Sequence, residues 1–150
     1  MTPIITVSDV DSTAFRGVLE TALIRFNEHR TGHPADGRPL VVVLRHFEAG
    51  DIIGGLLGWT GYTQLHVELL FVPEALRGQG IGQETMRRAE GEAARRGCRG
   101  AWLDTYSFQA RGFYERLGYV VFGTIEDYLP GHSRFFLKKA LVPMPLARGS

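Results

Sequence analysis

A chain of 150 residues is long enough for one hydrophobic core and too short for two ordinary ones. Apolar residues make up 44 % and charged ones 22 %, which argues against disorder, and a net charge of +1 gives no electrostatic reason to expect nucleic acid or anionic lipid as a partner. The single cysteine, Cys98, excludes an intrachain disulfide framework and fits a reducing cytoplasm. No apolar run reaches about 18 residues, and no basic segment leads an apolar stretch at Met1–Thr6, so neither a membrane span nor a signal peptide is expected.

In chain order, Ile4 to Val7 reads as a short first strand. Ser8-Asp9 and Asp11-Ser12 offer N-cap chemistry for a helix from about Ala14 to His29, whose apolar stripe is Phe15, Val18, Leu19, Ala22, Leu23 and Phe26. Residues 31–39 hold two glycines and two prolines and read as a loop of mixed charge (Asp36, Arg38) that could border a substrate pocket. Leu40 to Phe47 and Ile52 to Trp59 form a predicted hairpin around Ala49-Gly50-Asp51. A strand follows from about Gln64 to Val72, stopped by Pro73, and then a glycine-rich loop and a helix from about Ile81 to Arg96 closed by Gly97. Arg99 to Tyr106 is a strand, and Gln109 to Leu117 a short helix ending at Gly118. Tyr119 to Ile125 and Arg134 to Leu141 are two last strands about Pro130-Gly131. The order β-α-β-β-β-α-β-α-β-β predicts one α/β domain over residues 1–142, with a frayed tail over 143–150.

The informative stretch is Arg77-Gly78-Gln79-Gly80-Ile81-Gly82, at a strand-to-helix junction. Alternating glycines let backbone N–H groups approach an anion, and a helix N-terminus adds unsatisfied donors and a positive dipole end. Arg77 adds a cation suited to phosphate. The Gly-Lys-Ser/Thr of a P-loop is absent, and Gln83 with the preceding hairpin departs from a dinucleotide-binding βαβ unit. A phosphate cradle and a ligand-free tight turn remain the two readings of the loop itself.

Arg77-x-x-Gly80-x-Gly82 after Val72-Pro73 resembles the acetyl-CoA signature of the GNAT family of N-acetyltransferases. Downstream, Ala110-x-x-Phe113-Tyr114-x-x-x-Gly118-Tyr119 is similar to the family's Ala-x-x-Phe-Tyr-x-x-x-Gly-Phe segment. The resemblance covers roughly Leu40 to Leu141. It implies the GNAT fold: a mixed, mostly antiparallel sheet of about seven strands, splayed at its centre and flanked by helices. It also implies direct transfer of an acetyl group from acetyl-CoA to the amine of a small molecule or peptide. The charge and hydropathy above give no reason to expect nucleic acid or membrane, and the histidines and the one cysteine show no zinc spacing.

By the same resemblance, backbone groups near Phe71 and Val72 would pair with the pantetheine arm, and residues Gly78, Gln79, Gly80, Ile81 and Gly82 would bind pyrophosphate beside Arg77. Tyr114 matches the tyrosine near the cofactor sulfur, so it is the expected general acid, with a core aromatic as the alternative reading. Glu68 and His66 alternate on one strand, and family members often carry an acidic residue at one of these places; Glu68 is the first choice of base and His66 the second. Both could equally lie on a solvated sheet face. Ser107 stands where many members have an asparagine on the pantetheine, which leaves that contact in doubt.

His132, in the last turn, is a third candidate base near an acceptor site or a dimer partner, which leaves room for a homodimer. Asp104 could anchor an acceptor amine or pair with an arginine. Cys98 reads as a small core residue. A non-catalytic CoA-binding module of the same fold is the competing function.

Overall fold

The structure, a computed structural model, describes residues 1–144. It divides into residues 1–35 and a larger unit that begins at Asp36. In the first, α1 (Thr13–Thr31) starts at Ser12, whose hydroxyl accepts from the Phe15 amide at 3.1 Å. It ends at Gly32, at φ 69°, whose amide donates to Glu28 O at 2.9 Å. The strand expected at Ile4–Val7 does not form, and Ile4, Ile5 and Val7 are exposed. A β-branched run becomes a strand only where a ladder of hydrogen bonds offsets its ordering entropy, and these residues join no sheet. The sheet among the described residues therefore has six strands, against about seven expected.

The second unit holds β1 (Arg38–Arg45), β2 (Ile52–Gly61), β3 (Gln64–Phe71), α2 (Ile81–Arg95), β4 (Gly100–Tyr106), α3 (Arg111–Arg116), β5 (Val120–Leu129) and β6 (His132–Ala140). Strand order is β1-β2-β3-β4-β6-β5, with β3–β4 the one parallel pair. Of the tail expected at 143–150, Met144 still donates its amide to Ala94 O at 3.0 Å, and residues 145–150 lie outside the described residues. No helix among the described residues is long and apolar enough to cross a membrane.

Helix α2 carries the core. Met86, Ala89 and Ala93, spaced three and four apart, are fully buried against Leu65 and Val67 of β3, Leu103 of β4 and Leu137 of β6. The helix ends in paired bonds, Gly97 N to Ala94 O at 3.0 Å and Cys98 N to Ala93 O at 2.9 Å, with Gly97 at φ 85°. This is the left-handed glycine stop that satisfies the last carbonyls, and Cys98 falls into the core beside it. Buried Tyr119 donates its hydroxyl to Glu90 at 2.9 Å, and Lys139 reaches the other oxygen of Glu90 at 2.6 Å, which ties α2 to β6 and to the end of α3. Burial, then the Glu90 carboxylate, pushes the Tyr119 phenol far above its ordinary value.

The feature that makes a site is a failure of pairing. Strands β3 and β4 are bonded only over Gln64–Val67 and Gly100–Leu103. On the other side, Val67 pairs with Gly58 and Leu69 with Leu57 of β2, so Glu68 is the extra residue of a β-bulge. The burial pattern registers the break, running Leu65, Val67 and then Leu70. Gly58 makes the close approach opposite the bulge feasible, because a Cβ there would fall 2.4 Å from His66 O. From Glu68 on β3 and Asp104 on β4 outward, the strands part.

Candidate active site

The parted strands open a cleft of about 870 Å³, lined by β3 from Glu68, by Asp104 and Thr105 of β4, by the loop into α2, and by α3. Along β3 from Glu68 to Phe71 the backbone edge facing β4 has no strand partner. A ligand arm carrying amides can pair there as an added strand would. Phe71 and Val72 both line this wall.

The glycine loop closes one part of the cleft. Gly78 and Gly80 stand at φ 78° and 79°, left-handed values that a side chain resists, and a Cβ at either would meet nothing within 4 Å. Glycine is required here by backbone conformation and not by crowding. Gly80 is the N-cap of α2, and no side chain caps the helix. The amides of Ile81, Gly82 and Gln83 thus have no partner within the helix and sit at its positive end. Arg77 is pinned by its Nε to Val72 O at 3.0 Å, with its guanidinium 5.9 Å from the Phe71 ring. Gln79 turns back to Ala75 O at 3.3 Å, while Arg116 of α3 adds a second cation to the cleft lining that sequence reading passed over. Free amides, open space and two arginines fit a pyrophosphate-bearing cofactor.

Glu68, Asp104 and Tyr114 all line this cleft. Glu68 is exposed and makes no ion pair or hydrogen bond among the described residues. Asp104 Oδ1 accepts from both Nε and a terminal nitrogen of Arg134, at 2.9 and 2.7 Å. Burial, with the Asp104 carboxylate behind it, raises the Tyr114 phenol above its ordinary value, so its hydroxyl keeps its proton.

His66, Ser107 and His132 do not line the cleft. The His66 ring stacks on Trp102 at 3.8 Å and meets Trp59 edge-on at 5.7 Å, and its Nε2 is buried with no partner among the described residues. Burial lowers its pKa below 6.5, opposed by Glu68 and Asp104. Ser107 Oγ accepts from the Ser133 amide at 3.1 Å and stands 3.3 Å from His132 Nδ1, so both residues belong to the junction of β4 and β6.

The arginine that the sequence reading allowed as a partner of Asp104 is Arg134, and it gathers an aromatic group that the sequence did not assemble. Arg134 donates to the Tyr128 hydroxyl at 2.9 Å and sits over the rings of Tyr106, Tyr128 and Phe136 at 5.1–5.4 Å. Tyr106 stacks on Phe108 at 5.1 Å, and Phe108 lines the cleft. The segments at residues 107–110 and 126–132, which hold Phe108 and Tyr128, also resemble a subgroup of small bacterial members of the family, but that resemblance gives no sign of the contacts with Arg134.

A sheet split beside a bulge, with an uncapped glycine-led helix at its mouth, has the shape and donors to receive the arm and pyrophosphate of an acyl-CoA. Residues 6–119 match the acetyltransferase (GNAT) family, and the chain belongs to it. It is 38 % identical to acetyltransferase Atu2258 of Agrobacterium fabrum, over 89 % of this chain and 96 % of that one. It is 37 % identical to blasticidin-S acetyltransferase of Streptomyces morookaense, over 91 % and 94 %. A crystal structure of an acetyltransferase from Agrobacterium tumefaciens superposes with a TM-score of 0.85 at 37 % identity, covering 93 % of this chain and all of that one. The protein is an acetyltransferase, and its acyl donor is acetyl-CoA.

Proposed function

We propose that residues 1–142 act as one domain that transfers acetyl directly to the amine of a small molecule, with Tyr114 as general acid and Glu68 as general base. The observation that carries this reading is the meeting of Glu68, Asp104 and Tyr114 in the cleft that also holds the glycine loop. Bound acetyl-CoA supplies the thioester that the amine attacks. Gly78, Gly80 and the amides of Ile81 to Gln83 bind its pyrophosphate, aided by Arg77, while the unpaired edge of β3 up to Phe71 and Val72 holds its arm. Glu68, unpaired and exposed, accepts a proton from the incoming ammonium. Tyr114 holds its proton at the phenol oxygen and delivers it to the departing sulfur. Asp104 adds negative potential that favours an ammonium.

His66 is the weaker base because its ring is stacked on Trp102 and set edge-on to Trp59, with Nε2 buried. Ser107 and His132 serve the β4–β6 junction. A relative named for blasticidin-S supports a small-molecule acceptor, and the cytoplasm, which supplies acetyl-CoA, is the proposed site of action.

The test is thiol release from acetyl-CoA against a panel of small amines. Turnover with at least one amine is expected, and Glu68→Gln should lower kcat/KM at least tenfold with unchanged affinity for acetyl-CoA. Tight cofactor binding with no turnover on any amine would leave a non-catalytic CoA-binding module.

A further inference from the structure

One wall of the cleft, at Phe108, has no part in the acetyl transfer proposed above. Phe108 follows β4, and its loop is fixed by Gln109, whose Oε1 accepts from the Tyr106 amide at 3.0 Å and stands 3.2 Å from Thr105 Oγ1. The Phe108 ring is stacked on Tyr106 at 5.1 Å with 9° between the planes, and meets His132 edge-on at 5.1 Å. Tyr106 is braced in turn by Tyr128 and by Arg134. Phe108 is thus backed by a rigid stack, yet it remains 55 % exposed and lines the cleft. A large aromatic surface held in place from behind presents a flat partner with a site that needs little ordering.

The charges in the cleft narrow the partner further. Glu68 is unpaired among the described residues, and Arg134 engages Asp104 through Oδ1, leaving Oδ2 without a hydrogen bond among them. These are the two acidic side chains among the cleft residues. Glu68, with Asp104 partly offset by Arg134, lines the same cleft as this aromatic face, and so little net negative charge suits a single ammonium on a flat ring better than the row of charges on a linear polyamine.

Resting on the acetyl-transfer reading above, we infer that the acceptor is an amine carried on a flat, delocalised ring, with the ring against Phe108 and the ammonium facing Glu68 and Asp104. Phe108 is then a residue that determines specificity, acting on acceptor binding and not on the chemical step.

The experiment compares 2-phenylethylamine with 2-cyclohexylethylamine, which share chain and charge and differ in flatness. Thiol release at saturating acetyl-CoA should favour the aryl amine by about 3- to 10-fold in kcat/KM, mainly through KM, the range that aromatic stacking adds beyond area. Phe108→Leu should bring the ratio to about one. The same two amines are titrated by ligand-observed NMR into the CoA-loaded protein, which reads binding without turnover. Aryl-selective binding that Phe108→Leu abolishes, with neither amine acetylated, would sink the transfer reading and keep the ring site. Equal turnover or equal binding of the two amines by the wild type would overturn the inference whether or not the variant folds. So would a preference that survives Phe108→Leu, or binding of neither.

Discussion

The ring of Phe113 lies against the Cα of Gly82: a Cβ at Gly82 would stand 3.2 Å from Phe113 Cζ and 3.7 Å from Val72 Cγ2. The first turn of α2, the end of the β3 wall and α3 therefore form one packing unit. Tyr114, the next residue along, meets the Phe113 ring at 5.1 Å and Tyr119 at 6.2 Å. The glycine loop and the Phe-Tyr segment are far apart in sequence, yet the position of one sets the position of the other.

Gly82→Leu should accordingly strike both functions at once. At 3.2 Å a Cβ already asks the ring to yield, and three further carbons cannot be absorbed without moving α3. Overpacking of this kind costs about 1–3 kcal/mol. Denaturant unfolding should show that loss, and turnover and acetyl-CoA affinity should fall together. Wild-type stability with unchanged affinity would show that α3 does not rest on Gly82.

Gly80 differs because nothing crowds it, so charge and backbone conformation act alone there. Gly80→Asp should weaken acetyl-CoA binding about tenfold or more by calorimetry, since a carboxylate replaces open space beside the free amides of α2. Gly80→Asn, which tolerates the left-handed conformation about equally well, should lose much less. Equal losses in the two variants would mean that backbone strain, and not repulsion of phosphate, is responsible.

Much of this arrangement was legible in the sequence where local chemistry decides it. The glycine stop at Gly97 and the cap at Ser12 fix helix ends through bonds made within a few residues, and both can be read from residue type. The hairpin β1–β2 and the alternating apolar run of β3 are legible for the same reason. What depends on distant partners was not. Ile4 to Val7 has strand composition but no ladder to join. The parting at Glu68 is set by where β4 stops pairing, which no period along β3 can reveal. Tyr128 reaches Arg134 across an irregularity between Ile125 and Leu129, with Asp127 at φ 51°, so alternation along β5 gives no hint of their contact. In the site, the glycine-led start of α2 was visible because Gly78, Gly80 and Gly82 lie within one short stretch. The aromatic group around Arg134 was not, because it is assembled from β4, β5 and β6 and the loop at Phe108.

Tyr114→Phe should lower kcat on the order of 10²-fold with little change in acetyl-CoA affinity, because the ring still packs against Phe113 and Tyr119 while the proton donor is gone. Burial and Asp104 hold the phenol above its ordinary value of about 10, so the acid form persists as pH rises through the range where an exposed tyrosine ionises. The wild-type rate should therefore show no loss of acid catalysis up to about pH 10. Wild-type turnover in the variant would make Tyr114 a packing residue.

His66 should make stability and fluorescence depend on pH in a predictable direction. In the unfolded chain its imidazole titrates near 6.5, whereas burial between Trp59 and Trp102 lowers its folded pKa against the pull of Glu68 and Asp104. A lowered folded pKa means that the unfolded chain binds the proton first. The stabilisation from neutral His66 is thus fully present above about pH 6.5 and is lost as pH falls from there through the folded value. Trp59 and Trp102 are the chain's two tryptophans and both touch this ring, so protonation places a cation, a quencher of indole emission, against all of the tryptophan signal. Emission of the folded protein should drop in one step below pH 6.5, and denaturant midpoints should decline over the same interval. His66→Gln should remove the emission step and flatten the decline. An identical step in the variant would assign the titration to another group and leave the Trp59–His66–Trp102 stack as packing alone.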